Sequence, residues 1–278
     1  GIGSQAGKEI TSGFSNILIG TSAGDNLEAG GDNIAIGTGA LSNEDGHGRN
    51  VAIGRSALAV QDAGADAYNV AIGYNAGVAI STGVKNTLIG GTAGDALTIG
   101  NYNTALGFDA LSTSVDGDYN TAIGYLALRL YEDGDGDGFN TAVGANAMGS
   151  ATTAQFNTAL GYSAAGGATM TGDYNIAIGY QTGNAMTSGA QNTLIGGVAG
   201  DALTTGEQNT AIGYAALSGE TAGDRNVAIG TYALFTQNNT SNADVYNVAI
   251  GYQAGTLVST GANNVLVGGQ VGEALTDG

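Results

Sequence analysis

The chain has 278 residues, among them 51 glycines, no proline and no cysteine, and it carries a formal net charge of −18. The lack of cysteine excludes disulfides, thiol nucleophiles and thiolate metal sites, and the negative charge disfavours nucleic acid and anionic membrane surfaces as partners. A disordered chain is not expected, because 42% of the residues are hydrophobic. No run approaches the roughly 18 consecutive apolar residues of a membrane span, so membrane insertion is not expected either.

A five-residue word, Asn-x-[Ala/Leu]-[Ile/Leu/Val]-Gly, recurs along the whole chain, and most successive copies are 17 residues apart. A coil of this length is called regular here. Repetition at a short fixed period is typical of a solenoid, in which each coil stacks on its neighbours. The fifteen asparagines that begin the copies are Asn16, Asn33, Asn50, Asn69, Asn86, Asn103, Asn120, Asn140, Asn157, Asn175, Asn192, Asn209, Asn226, Asn247 and Asn264.

Each position of a coil is numbered here from its asparagine, which is column 0. Column 1 is always Thr, Val or Ile, column 3 is always Ile, Leu or Val, and column 4 is always Gly. β-Branched and aliphatic residues at alternate positions predict a strand. We therefore predict an all-β fold, a parallel β-solenoid or β-roll of about fifteen 17-residue coils, each with the order strand, turn, strand.

The asparagine column has a structural interpretation. Stacked coils would place these side chains about 4.8 Å apart, where their amides can form a hydrogen-bonded ladder. A ligand-binding role is disfavoured, because a binding site would not be copied in every coil. Columns 8 and 11 also vary together: coils with Gly at column 8 carry a large apolar residue at column 11, whereas coils with Leu at column 8 carry mostly polar ones. This pattern predicts one interior space that is filled from either column.

A longer period divides the chain into blocks that begin near residues 16, 86, 192 and 264. The three longest coils begin at Asn50, Asn120 and Asn226, and their extra residues are predicted to protrude as loops. Residues 1–278 are expected to form one tandem-repeat solenoid with both ends inside a repeat. Such a chain is expected either to belong to a longer polypeptide or to stack end to end.

The words Asn-Val-Ala-Ile-Gly at residues 50–54, 69–73, 226–230 and 247–251 are similar to the head repeats of trimeric autotransporter adhesins. Related repeats occur in bacteriophage tail fibres. The resemblance covers the full chain at the level of the repeat. It implies a left-handed β-roll, homotrimeric in the adhesin family, that is displayed on a cell or virion surface and contacts a glycan or protein there.

Two places carry candidate chemistry. Asp133, Asp135 and Asp137 alternate with glycines, as at the start of a calcium loop, but Gly144 stands where the last ligand of such a loop is expected. Calcium is thus the candidate cofactor, and a solvated acidic turn is the alternative. The single histidine, His47, is predicted to be an exposed loop residue, because no cysteine or second histidine accompanies it.

Three functions remain in competition at this point. The favoured one is an extracellular structural fibre or adhesin segment, a rigid rod for surface attachment. The first alternative is a homopolymeric filament of solenoid units stacked end to end, and the second is a solenoid that binds ice or glycan. In each case the chain is expected to be no enzyme and to associate with itself, as a homotrimer or a filament, because both faces of its strand are apolar or small.

Overall fold

The computed structural model describes residues 1–132 and 137–277, and these residues form a parallel β-solenoid that contains no helix. They divide into two compact units, Gly1–Phe139 and Asn140–Gly278. The first unit contains β1 (Ile17–Ile19), β2 (Ile34–Ile36), β3 (Val51–Ile53), β4 (Val70–Ile72), β5 (Thr87–Ile89), β6 (Thr104–Leu106) and β7 (Thr121–Ile123). The second contains β8 (Thr141–Val143), β9 (Thr158–Leu160), β10 (Ile176–Ile178), β11 (Thr193–Ile195), β12 (Thr210–Ile212), β13 (Val227–Ile229), β14 (Val248–Ile250) and β15 (Val265–Val267).

Each strand occupies columns 1 to 3 of its coil, and within each unit consecutive strands pair in parallel with equal columns opposite one another. Thr87 pairs with Thr104 in the first unit, for example, and Thr193 pairs with Thr210 in the second. The fold class predicted from the sequence is therefore confirmed. The prediction of a second strand in each coil is wrong, because in the described coils the residues that follow the strand form turns.

These turns are paired between coils in the same way as the strands. Columns 6 and 8 both adopt positive φ, as at Ser56 (57°) and Leu58 (49°). The Ser56 N–H donates to Thr38 of the preceding coil at 3.0 Å, and the Leu58 N–H donates to Ala76 of the following coil at 3.2 Å. Left-handed backbone is unfavourable for L-residues. The conformation persists here because the N–H groups of columns 6 and 8 then reach carbonyl oxygens of opposite neighbouring coils. A buried N–H without a partner would be costly.

Glycine at column 4 is required by the approach of adjacent coils. Gly107 has φ of +146°, and a Cβ at this position would lie 2.3 Å from the carbonyl oxygen of Gly124 in the next coil. The obstacle is backbone, which cannot move without shifting a whole coil. Both the conformation and the contact therefore select glycine.

We expect Gly107→Ala to lower the midpoint of urea unfolding strongly, because the added methyl group would push two coils apart at their closest contact. Gly91→Ala is the matched control. Its Cβ would meet only the Phe108 ring, at an ordinary 3.4 Å, and the cost should stay within about 1 kcal/mol. Equal effects of the two substitutions, measured by circular dichroism, would contradict the close-approach explanation.

The interior is thin and lined by side chains from columns 0, 2, 7, 8 and 11. Column 7 is a buried alanine in most coils, and column 2 is an alanine or leucine that is buried in every coil but the last. Where column 2 is leucine, column 8 is glycine in the same coil and in the preceding coil. A Cβ on Gly77 or Gly94 would lie 2.8 and 2.9 Å from the methyl groups of Leu88. The same trio recurs in the sets Gly7, Leu18, Gly24; Gly183, Leu194, Gly200; and Gly255, Leu266, Gly272.

The interior space predicted from columns 8 and 11 is thus shared by three columns instead of two. Column 11 is buried in both kinds of coil: Leu97 is buried beside a column-8 glycine, and Gln61 is equally buried beside a column-8 leucine. A leucine at column 2 is what the column-8 glycines accommodate, because in a close-packed core added volume at one position must be removed at its neighbours.

A double-mutant cycle tests this packing. Leu88→Ala should cost about 2–5 kcal/mol through the cavity that it leaves. Gly94→Ala should destabilise the wild type, where the new methyl group meets Leu88, but should cost less in the Leu88→Ala background. The strain of positive φ is the same in both backgrounds and cancels, so the expected coupling of about 0.5–3 kcal/mol reports the side-chain contact. Strictly additive effects in urea denaturation would refute it.

Most residues of the two described insertions, 62–66 and 238–244, are exposed. In both described loops an arginine just before the asparagine forms an ion pair with an aspartate of the insertion: Arg49 with Asp66, and Arg225 with Asp244. In the second unit Asn242 exchanges hydrogen bonds with Thr205, 37 residues earlier in the chain. These insertions are therefore anchored loops that lie against neighbouring coils.

Candidate functional site

The asparagines of column 0 point into the interior and link the coils. The backbone N–H of Asn103 donates to the Oδ1 of Asn86 at 2.9 Å, and the N–H of Asn120 donates to the Oδ1 of Asn103 at 2.9 Å. The pattern continues through the second unit, for example from Asn209 to Asn192 at 2.9 Å. The main contact of this asparagine ladder thus joins backbone to side chain, and contacts between amides such as Asn209 Nδ2 to Asn192 Oδ1 supplement it.

A second hydrogen bond closes each regular coil upon itself. In every regular coil, the asparagine Nδ2 donates to the carbonyl oxygen of column 14, as from Asn86 to Gly100 at 2.8 Å. We call this bond the clasp. Its ten donors are Asn16, Asn33, Asn69, Asn86, Asn103, Asn140, Asn175, Asn192, Asn209 and Asn247. One inward amide therefore holds both the coil and its neighbour.

In the longer coils that begin at Asn50, Asn157 and Asn226, the amide is used differently. Asn157 Nδ2 donates to the carbonyl oxygen of Gln155, and Asn226 Nδ2 donates to Asn209 Oδ1 at 3.1 Å. Asn50 Nδ2 is buried and has no hydrogen-bond partner among the described residues. In these three coils the insertion takes the column-14 carbonyl away from the amide, so the clasp does not form there.

Asn86→Ala should therefore be costlier than Asn50→Ala. Both changes remove the acceptor of the next coil's N–H, but only Asn86→Ala also leaves the Gly100 carbonyl without its clasp. An unpaired buried polar group costs about 1–3 kcal/mol, so we expect about 2–6 kcal/mol for the two groups left by Asn86→Ala and about 1–3 kcal/mol for the one left by Asn50→Ala. Urea unfolding of both variants provides the measurement. A larger loss at Asn50 would be inconsistent with the clasp.

The outer face of the sheet is formed by columns 1 and 3, whose side chains point away from the interior. It is aliphatic or carries threonine throughout, and it holds no charged residue in a chain of net charge −18. Several of its residues are well exposed, among them Ile17, Leu106, Leu160 and Ile176. Each unit therefore presents a strip of uncharged, largely apolar side chains to solvent.

Aromatic residues form two exposed stripes, one just before the asparagine and one at column 5. In the first stripe Tyr102 stacks on Tyr119 with ring centroids 4.8 Å apart, and Tyr119 stacks on Phe139 at 4.9 Å. In the second unit Phe156 and Tyr174 stack at 4.9 Å. The facing sides of these rings contact each other, so within a stack they are not open to a sugar ring.

The residues predicted to bind calcium lie only partly in the described structure. Asp133 and Asp135 fall outside the described residues, and Asp137 is exposed and pairs with Asp118 of the preceding coil in a parallel bridge. Burial, followed by the charges of Asp137 and Asp116, raises the pKa of Asp118, while hydrogen bonds from Asn101 oppose the rise. Calcium binding at these residues stays a prediction.

A polar cluster that the sequence did not predict surrounds Glu44. This residue occupies column 11 of the coil that begins at Asn33, and its side chain is fully buried. One oxygen, Oε1, accepts the backbone N–H of His47 at 3.1 Å, whereas Oε2 has no hydrogen-bond partner. Ligand atoms of Glu44, Asp45, His47 and Asp62 all lie within 4.8 Å of one another.

His47 is thus not the isolated exposed residue that the sequence predicted. Its side chain is only about one-third exposed, and its Nδ1 lies 3.8 Å from Glu44 Oε1, buried and without a hydrogen-bond partner. Burial raises the pKa of Glu44 to about 7, and the negative charges of Asp62, Asp45 and Asp66 contribute to the rise. The one available signal in the sequence was column 11, where the apolar residues of other coils already indicated an inward position.

No protein family model, no curated protein and no solved structure matches the chain. The described residues form no helix that could span a membrane.

Proposed function

We propose that this protein is the repeat rod of an extracellular structural fibre or adhesin, and that it has no catalytic role. The observation that carries the proposal is the outer sheet face, an uncharged strip repeated in coil after coil with equal columns in register. A soluble chain seldom leaves a continuous apolar strip of this kind uncovered. Affinity for a partner would then come from a long repeated surface and not from a pocket.

The first partner of this strip is a second copy of the same chain. Copies that each carry a charge of −18 repel one another, and the outer face is where two of them can meet without opposing like charges. Its repeat spacing is identical in every copy, so the strips match along their length. The similarity of the Asn-Val-Ala-Ile-Gly words to adhesin head repeats favours a homotrimer and a place on a cell or virion surface.

The alternative functions receive less support. A filament assembled end to end would also be a homo-oligomer, and imaging separates it from lateral trimers. For a glycan ligand, the stacked rings of Tyr102, Tyr119 and Phe139 are already in contact with one another. Calcium at Asp133, Asp135 and Asp137 is a further proposal, in which the ion would stiffen the insertion after Asn120.

Light scattering of the intact chain, together with electron microscopy, tests the association. We expect the mass of a homotrimer or a larger assembly in place of 27.2 kDa. Leu106→Lys combined with Leu160→Lys should shift the distribution toward monomers, since a buried unpaired ammonium group is strongly unfavourable. Tyr74→Lys, an exposed column-5 change, should leave the assembly intact.

A wild-type chain that stays a monomer at high concentration and forms no filaments would contradict the proposal. Equal effects of the outer-face variant and the column-5 variant would place the contact elsewhere on the molecule. Because both variants replace exposed side chains, circular dichroism should show the same β-structure in each.

A further inference from the structure

We propose that Glu44, Asp45, His47 and Asp62 form a binding site for a zinc-class divalent cation that joins two adjacent coils. Three of these residues belong to the coil that begins at Asn33, and Asp62 belongs to the longer coil that follows. The proposal concerns this cluster alone and holds whether or not the chains associate.

The geometry brings the four ligand atoms within reach of one ion. They lie within 4.8 Å of one another, whereas the ligands of a tetrahedral zinc ion, at bonds of about 2.1 Å, are about 3.4 Å apart, so the farthest atoms must approach by about 1.4 Å. The required movement is small, and it falls on Asp45 and Asp62, whose side chains are exposed. Glu44 is fixed by burial and provides the anchor of the site.

Two hydrogen bonds fix the backbone of His47 and so place its imidazole at the cluster. Its N–H donates to Glu44 Oε1 at 3.1 Å, and its carbonyl oxygen accepts the clasp from Asn33 Nδ2 at 3.3 Å. The ring nitrogen Nδ1 is buried and has no hydrogen-bond partner. A cleft of about 240 Å³, lined by His47, Arg49 and Asp66 among others, adjoins the cluster at His47.

Glu220 shows what a buried glutamate of this column requires when no ion is involved. It stands at column 11 of the coil before another longer coil, as Glu44 does, and it is equally buried. Its two oxygens accept six hydrogen bonds, from the backbone N–H groups of Thr221, Ala222, Gly223 and Asn239 and from the side chains of Gln237 and Asn239. Glu44 accepts one, and Oε2 is left unsatisfied.

The other three proposed ligands of the Glu44 cluster have no metal-binding counterpart around Glu220. Where the Glu44 cluster has Asp45, His47 and Asp62, the corresponding columns around Glu220 hold Thr221, Gly223 and Asn238. A hydrogen-bonded carboxylate thus coincides with the loss of the other three metal ligands. A buried unpaired carboxylate next to two more carboxylates is costly, and a divalent cation would satisfy all of them at once.

The donor set favours zinc over calcium or magnesium. Imidazole nitrogen suits zinc and other transition metals, whereas magnesium and calcium prefer oxygen ligands alone. Three carboxylates and one imidazole give four ligands, the usual coordination number of zinc.

Zinc chloride titrated into the chelator-treated full chain tests the site by calorimetry. We expect one zinc per chain. His47→Gly, Asp62→Asn and Glu44→Gln should each weaken binding at least about tenfold, since even outer-shell substitutions commonly cost that much. The single histidine should report ligation directly through its imidazole resonances. Glu220→Gln is the matched control and should leave zinc binding unchanged.

The combined variant Asp45→Thr, His47→Gly, Asp62→Asn is expected to fold, because the protein already has Thr, Gly and Asn at the corresponding columns around Glu220. Its zinc binding therefore tests the site without the complication of misfolding. It should fold and bind no stoichiometric zinc. Wild-type chain without stoichiometric zinc would overturn the proposal, as would unchanged affinity in the combined variant, which indicates diffuse binding to surface carboxylates. Calcium binding as tight as that of zinc and insensitive to His47→Gly would exclude the imidazole as a ligand.

Discussion

Everything in this fold depends on one hydrogen bond, in which the Oδ1 of a buried asparagine accepts the backbone N–H of the asparagine in the next coil. A strand of three residues offers few ladder bonds, and the interior beside it is lined mainly by alanine. Asparagine is short enough to fit this interior and carries an acceptor and two donors on one planar group. Aspartate would lack the donors, and apolar residues would leave backbone groups unpaired.

The clasp relates this interaction to the length of the coil. It forms in each regular coil and is replaced by other contacts at Asn157 and Asn226. Since the ladder persists where the clasp is lost, as in the 3.1 Å bond from the Asn69 N–H to Asn50 Oδ1, stacking tolerates insertions that closure does not. Insertions can therefore be tolerated near column 14, which is also where the Glu44 cluster lies.

Residue pattern was sufficient to predict the strand and the stacking of the asparagines in a hydrogen-bonded ladder, because β-branched residues and a repeated amide have few alternative uses. It was insufficient for the turns. Leu58 and Val198 adopt positive φ, and nothing in a leucine or valine indicates that conformation; it is imposed by the need to pair N–H groups with both neighbours. The packing of Leu88 between Gly77 and Gly94 was hidden for another reason, since it relates columns of successive coils and not columns within one coil.

The functional surfaces were predictable to different degrees. The lack of charge on the outer face follows from columns 1 and 3 alone. The cluster around Glu44 does not, because Asp62 comes from a different coil and the backbone of His47 is held by hydrogen bonds to Asn33 and Glu44. A ligand set that is assembled by stacking has no fixed spacing that a motif could reveal.

Amide hydrogen exchange in Asn103→Ala, followed by nuclear magnetic resonance, tests the ladder most directly, because its hydrogen bonds have a direction. The Asn120 N–H donates to the side chain that the substitution removes, whereas the amide at position 103 donates to Asn86 Oδ1, which remains. Protection should therefore fall at Asn120 and persist at position 103. Unchanged protection at Asn120, or an equal loss at both amides, would contradict the ladder as the interaction that holds one coil to the next.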